Sequence, residues 1–359
     1  MVLMIVLLKN KARDAKNKFS KKYNFVLIAN LICAYGMLIS FILQGYGLVS
    51  IVFCTSSIVV AWFFAFFYFQ DLRRLPKGDL SKNWFKAALF FNILSSFGNF
   101  ALAYMMLTKH IPQKEYLASV YYYLHFQYNG WFFFACVGLF VNLLHLNAFE
   151  NPFYKRFFNL FFIACIPAYF LSTLWWELPI WLYTLTVLAA LIQVYAWFTF
   201  LAIIIKTKND RLTKFPVFLK NILVFVGFAL SVKILLQLGS TIPALSQLAF
   251  GFRPIVIAYL HLILLAVISL FLLFYIFATG LIALNKSLKA GLITFAIGVI
   301  LNEVVLGVQG IAGISYTSIP WVNEMLFVAA IVLVVGIGVT FISSLKPNQL
   351  ASNEDEVIL

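Results

Sequence analysis

Apolar residues fill this chain in runs of roughly 20, each long enough to cross a hydrocarbon core of ~30 Å as a helix. Short polar stretches separate the runs. The pattern predicts ten helices, at 25–43, 46–70, 84–107, 117–145, 157–175, 179–205, 217–237, 254–280, 291–311 and 322–344. A β-barrel would need strands of about 10 residues that alternate apolar with polar, and no such alternation appears. The expected fold is therefore all-α: a polytopic integral membrane helical bundle of about ten transmembrane helices over residues 25–344. A basic N-terminal segment (1–24) and a polar tail (345–359), expected to be disordered, flank it.

Composition agrees, with 64% hydrophobic residues against 11% charged and a mean hydropathy of +0.98. A net charge of +14 raises the question of a nucleic-acid partner. The placement of the charge argues against one. "KNKARDAKNKFSKK" (9–22) holds seven basic residues, and "DLRRLPKGDLSKN" and "KTKNDRLTK" hold four each. Lys155, Arg156, Lys286, Lys289 and Lys346 fall in the same alternate set of loops, with Lys86 and Lys220 at helix starts on that side. The opposite loops carry only Lys109, Lys114 and Arg253. The positive-inside rule then puts both termini in the cytoplasm, which suits an even helix count. The lipid bilayer is the expected partner, with contacts to anionic lipid at the basic loops. The expected location is a bacterial inner (cytoplasmic) membrane.

The first eight residues, "MVLMIVLL", would make only ~12 Å of helix, too short to span. They either lie at the interface or form the last turns of an earlier helix, and the second reading is preferred. Cys33, Cys54, Cys136 and Cys165 stand singly within predicted helices, with no metal spacing, and read as small apolar side chains.

Ionisable groups in a bilayer core are costly, and so mark candidate sites. The predicted spans enclose His125, His261, Lys233 and Glu303. At ~1.5 Å per residue, His125, His261 and Glu303 each fall ~12 Å below the outer surface, on three different helices. Lys233 lies nearer an outer end. His125 and Asn129, four apart, share a helix face, and Gln127 projects elsewhere. Asn302 and Gln309 accompany Glu303. Each histidine also has a plainer reading as a core residue bonded to a neighbouring helix. Trp175 and Trp176 read as an interfacial anchor. His110 and His145 read as incidental. Phosphate loops, HExxH and GxSxG are absent, so hydrolase and kinase chemistry drops out and no catalytic residue is assigned.

Two stretches resemble subunit I of the haem–copper oxidases, including their nitric-oxide reductase relatives. "HFQYNGWFFFACVGLF" is similar to that family's sixth helix, where a histidine ligates copper. "IVIAYLHLILLAVISLF" is similar to its tenth, where HxH supplies haem ligands, and "YFLSTLWWELPIW" is faintly similar to the end of the seventh. The resemblance implies two missing leading helices. It makes His125 the counterpart of a copper ligand and His261 that of the low-spin haem ligand. Tyr259 replaces the active-site haem ligand, and the paired histidines of the seventh helix are absent. A degenerate relative follows: haem is the cofactor the resemblance allows, copper is disfavoured, and oxygen reduction is not expected.

Two functions are carried forward. In the first, the chain is an oxidase-like, respiration-associated accessory protein, associated with other respiratory membrane subunits. It would bind haem, quinone or another small ligand through His125, Asn129, Tyr259, His261 and Glu303, with His125 and His261 as any metal ligands. In the second it is a proton-coupled transporter in which Glu303, with Lys233 or a histidine, carries the proton.

Overall fold

The protein is known from a computed structural model that describes residues 1–11, 16–45, 47–73, 78–146, 151–207 and 209–345, with side chains described for all of these except 16–20 and 248–251. The polar tail expected at 345–359 lies, apart from Leu345, outside the described residues. Among the described residues the structure is helical, with no strand. Among the described residues, eight helices are long and apolar enough to cross a membrane, or nine if the bent pair Phe153–Cys165 and Pro167–Thr173 counts as one span. Large apolar side chains such as Phe25, Ile42, Val224, Phe228 and Val334 stand exposed along these helices. Rows of such residues are stable against lipid, not water. The chain is a multi-pass membrane protein.

The helices gather into two compact units, Met1–Thr207 and Lys208–Leu359. The first contains α1 (Val2–Lys11), α2 (Lys16–Gln44), α3 (Leu48–Leu72) and α4 (Ser81–Thr108). Next, α5 (Gln113–His125) continues through a π-helical stretch, Phe126–Phe132, into α6 (Phe133–Leu143). After α7 (Phe153–Cys165) and a 3₁₀ turn, Pro167–Thr173, the unit closes with α8 (Ile180–Thr207). The run from α5 to α6 is absent from the eight candidate spans; His125, Gln127 and Asn129 lower the hydropathy at its centre.

Aromatic side chains fill the core of this unit. Trp84 packs against Phe133, Phe134, Phe157 and Phe158, and Phe157 stacks on Phe200 at 4.2 Å. Glycine sets how closely α4 meets the helix opposite. A Cβ on Gly130 would come within 2.5 Å of the Phe91 Cβ, so a side chain there would push the two helices apart.

The N-terminal helix is tied to this unit. Met4, Leu7 and Leu8 are buried, and the Tyr68 hydroxyl donates to the Met4 carbonyl at 3.1 Å. Lys11 pairs with Asp79, just ahead of α4. Burial pushes the Asp79 carboxyl up, but the Lys11 ammonium and the Ser81 N–H and O–H donors more than reverse this and hold it below the usual carboxylate range. A depressed carboxylate contributes stability above its unfolded pKa, and that stability is lost as pH falls through the folded value. Acidification through and below the ordinary carboxylate range should therefore loosen α1. The check is hydrogen exchange at residues 2–11 against pH, with the acid-induced loosening absent in Asp79→Asn.

The second unit holds α9 (Asp210–Lys214), α10 (Val217–Gly239), α11 (Pro243–Gly251) and α12 (Arg253–His261). A second π-helical stretch, Leu262–Ser269, joins α12 to α13 (Leu270–Ala278), and α14 (Lys286–Ile314) and α15 (Val322–Ser344) complete it. The last two helices approach closely because glycines line their seam. A Cβ on Gly336 would sit 2.4 Å from the Phe295 nitrogen, and one on Gly298 would sit 2.9 Å from that of Leu333.

Candidate functional site

His125 and His261 are each the last α-helical residue before a π-helical stretch: His125 before Phe126–Phe132, and His261 before Leu262–Ser269. A π turn shifts backbone bonds from i+4 to i+5 and widens the helix, and such turns recur at functional sites.

His125 is buried, and its surroundings explain it. The α7 helix breaks at Pro167, whose nitrogen has no hydrogen to give, and the span bends by 45°. At the break the Tyr169 N–H turns to the Ile166 carbonyl, the i+3 pattern of a 3₁₀ turn, and not to Cys165 four residues back. The Cys165 carbonyl instead lies 2.9 Å from His125 Nε2. A carbonyl only accepts, so Nε2 carries the proton and Nδ1 keeps the lone pair. Asn129 Nδ2, 3.3 Å away, donates to that lone pair. Both ring nitrogens are therefore committed, and edge contacts with Phe126 and Tyr169 fix the ring plane.

Gln127 points to α4, where its amide donates to Asn92 Oδ1 at 3.2 Å and Ser95 Oγ at 2.9 Å. Trp62 Nε1 on α3 donates to Ser96 Oγ at 3.1 Å, extending the polar seam. Asn92 Nδ2 is buried with no acceptor among the described residues, and the buried Gln193 Oε1 and Gln237 Oε1 likewise lack a donor. Sequence reasoning overlooked these amides because neutral side chains barely interrupt an apolar run. It also read Asp71 as a loop residue, although Asp71 is buried at the end of α3, paired with Lys22 and accepting from the Tyr23 hydroxyl. The end of α3 lies two residues beyond its predicted position, at Leu72, and α2 begins in the basic stretch at Lys16; together these account for the difference.

In the second unit, His261, Asn302 and Glu303 come together. Asn302, buried on α14, places its amide nitrogen 2.8 Å from His261 Nδ1 and 3.4 Å from Glu303 Oε1. The two hydrogens of one amide thus serve an imidazole and a carboxylate. With Nδ1 accepting, neutral His261 carries its proton on Nε2, which has no partner among the described residues. The Glu303 carboxylate has no ion pair among them either. Lys233 is buried on α10, and Tyr259 lies two residues ahead of His261 on α12. His125 thus lies with Asn129 in the first unit, and His261 with Asn302 and Glu303 in the second.

No three or more His, Cys, Asp or Glu residues among the described ones gather as a metal ion would require. No family model matches the chain, and no curated protein matches it either.

Proposed function

We propose that this is a membrane protein of about ten spans with both ends cytoplasmic, and that it moves protons through Glu303 in step with a small ligand held at His261, as a proton-coupled transporter. The supporting observation is the single Asn302 amide lying against both groups. An amide has a donor end and an acceptor end. Facing an ionised Glu303, Asn302 gives one hydrogen to the carboxylate and one to His261 Nδ1, leaving Nε2–H to donate to a ligand. A protonated Glu303 donates instead to the amide oxygen. The turned amide then accepts from Nδ1–H, and the imidazole changes tautomer, one proton leaving Nε2 as one arrives at Nδ1. Nε2 becomes an acceptor. The proton on Glu303 thereby decides which kind of ligand group His261 can hold. A hydrophobic carbodiimide, which reacts with protonated carboxyl groups inside membranes, tests this. Labelling of Glu303, read by mass spectrometry, should rise as pH falls; no labelling at any pH would remove the proposal.

A second reading has one observation in its favour. His261 Nε2 is without a partner among the described residues, and with the Asn302 amide turned so that its oxygen accepts from Nδ1–H, Nε2 would keep the lone pair that an axial haem ligand needs. An oxidase-like, respiration-associated protein would hold haem iron there, with Tyr259 where the family has a second histidine, and the haem would supply one-electron chemistry. Copper does not fit, since both nitrogens of His125 are committed. On this reading the reduced-minus-oxidised visible spectrum of the purified protein shows sharp haem bands, and His261→Ala loses them. A flat spectrum for the unaltered protein leaves the proton-coupled reading alone.

A further inference from the structure

Where the bent span ends, the chain leaves the 3₁₀ turn and runs through Leu174–Pro179 before α8 begins. Here it walls a cavity of about 290 Å³. Tyr169, Phe170 and Trp176 supply aromatic rings, Thr173 a hydroxyl, Leu178 and Pro179 apolar edges, and Glu177 the charge. Nothing in the proton-coupled site uses it.

The walls are held in place independently of any ligand. The Tyr169 hydroxyl donates to the Ala118 carbonyl at 3.0 Å. Trp175 stacks on Trp176 and donates from Nε1 to the Ser172 carbonyl at 2.9 Å. Two polar groups at the cavity are left over. The Glu177 carboxylate has no ion pair or hydrogen bond among the described residues, and the Trp176 indole N–H has no acceptor among them.

We propose that this cavity binds an organic ammonium group, with Glu177 as its counter-charge and the rings of Tyr169, Phe170 and Trp176 around it. Aromatic faces attract cations, and the attraction grows as water is excluded. One unpaired carboxylate fixes the sign of the charge. The volume lies at the lower edge of the range for small-molecule pockets, about 300–1,000 Å³, and so suits a headgroup-sized ligand. The free indole N–H would donate to an oxygen on the same ligand, which favours a zwitterion such as an aminoalkyl phosphate. Paired tryptophans at the end of a span lie at the level of lipid headgroups, so the source is a zwitterionic lipid or a free amine.

Calorimetric titration of the detergent-purified protein tests this with three probes: dihexanoyl phosphatidylethanolamine, free ethanolamine, and dihexanoyl phosphatidic acid, which lacks the ammonium. Saturable binding of the first alone identifies a lipid headgroup; binding of ethanolamine as well identifies the amine itself. Glu177→Gln should weaken either by about tenfold. Glu177 is exposed and bonded to nothing described, so this variant should fold normally, and Trp176→Phe, which keeps a ring and removes the N–H, should weaken the phospholipid more than the amine. Equal binding of phosphatidic acid, unchanged affinity in Glu177→Gln, or no saturable binding of the ammonium probes would each overturn the proposal.

Discussion

Replacing His125 by alanine should lower the thermal midpoint of the purified protein by several degrees. The ring donates to the Cys165 carbonyl beside the helix break, where the Tyr169 N–H turns to the Ile166 carbonyl. Losing a buried hydrogen bond of this kind costs about 1–3 kcal/mol. Removing an imidazole packed against Phe126 and Tyr169 adds a cavity cost, for a total of about 3 kcal/mol. His125→Gln, whose amide hydrogen can reach toward the same carbonyl, should recover part of the loss. Asn129→Leu should cost about 1 kcal/mol, because it removes only the bond to Nδ1. Two buried thiols provide the readout: Cys136 and Cys165 are shielded in the folded protein, so a thiol-reactive dye reports the unfolding midpoint. An unchanged midpoint in His125→Ala would show that the carbonyl finds another donor and would return His125 to the list of candidate ligands.

The larger functional effect belongs to Glu303. Glu303→Gln should reduce carbodiimide labelling of this helix to background at every pH. It should also freeze His261. In protein carrying ¹⁵N-histidine, acidification should move the hydrogen of the His261 ring from Nε2 to Nδ1, with the signal assigned by its absence in His261→Gln. In Glu303→Gln and Asn302→Leu the same acidification should produce no such exchange, since one lacks the carboxyl proton and the other the turning amide. Protonation of both ring nitrogens together would mean that the imidazole titrates on its own. The relay through Asn302 would then fail, while proton carriage by Glu303 would stand on the labelling result.

Much of the fold is legible in the chain because each long apolar run can only be a buried or lipid-facing helix. What hydropathy does not carry is the interior of those helices. The break at Pro167 is visible as a residue, but its consequence, a carbonyl satisfied by a histidine forty positions earlier in the chain, depends on which helices become neighbours. Similarly, the four-residue spacing of His125 and Asn129 puts them on one face, whereas the meeting of His261 with Asn302 joins two helices that local spacing cannot relate. Asn302 stood in the sequence only as a companion of Glu303. Its position between two ionisable side chains emerges once α12 and α14 are packed. The ion pairs of α1 and α2 were hidden for the opposite reason: Lys11, Lys22, Asp71 and Asp79 lie in charge-rich stretches that read as topology signals before they read as contacts.

The glycine seam between α14 and α15 bears on movement. With the Gly336 backbone pressed against Phe295 and Gly298 against Leu333, these two helices have little room to slide, and they behave as one stiff plate. Asn302 and Glu303 ride on that plate. The His261 side is built differently, since the residue after the histidine begins a π-helical stretch, where a helix can change its winding by one residue without unravelling. If the site opens and closes around a ligand, the stroke should come from α12 moving over a fixed α14. Ligand entry would then be set by the winding of one helix, while the proton stays with the helix that stands still.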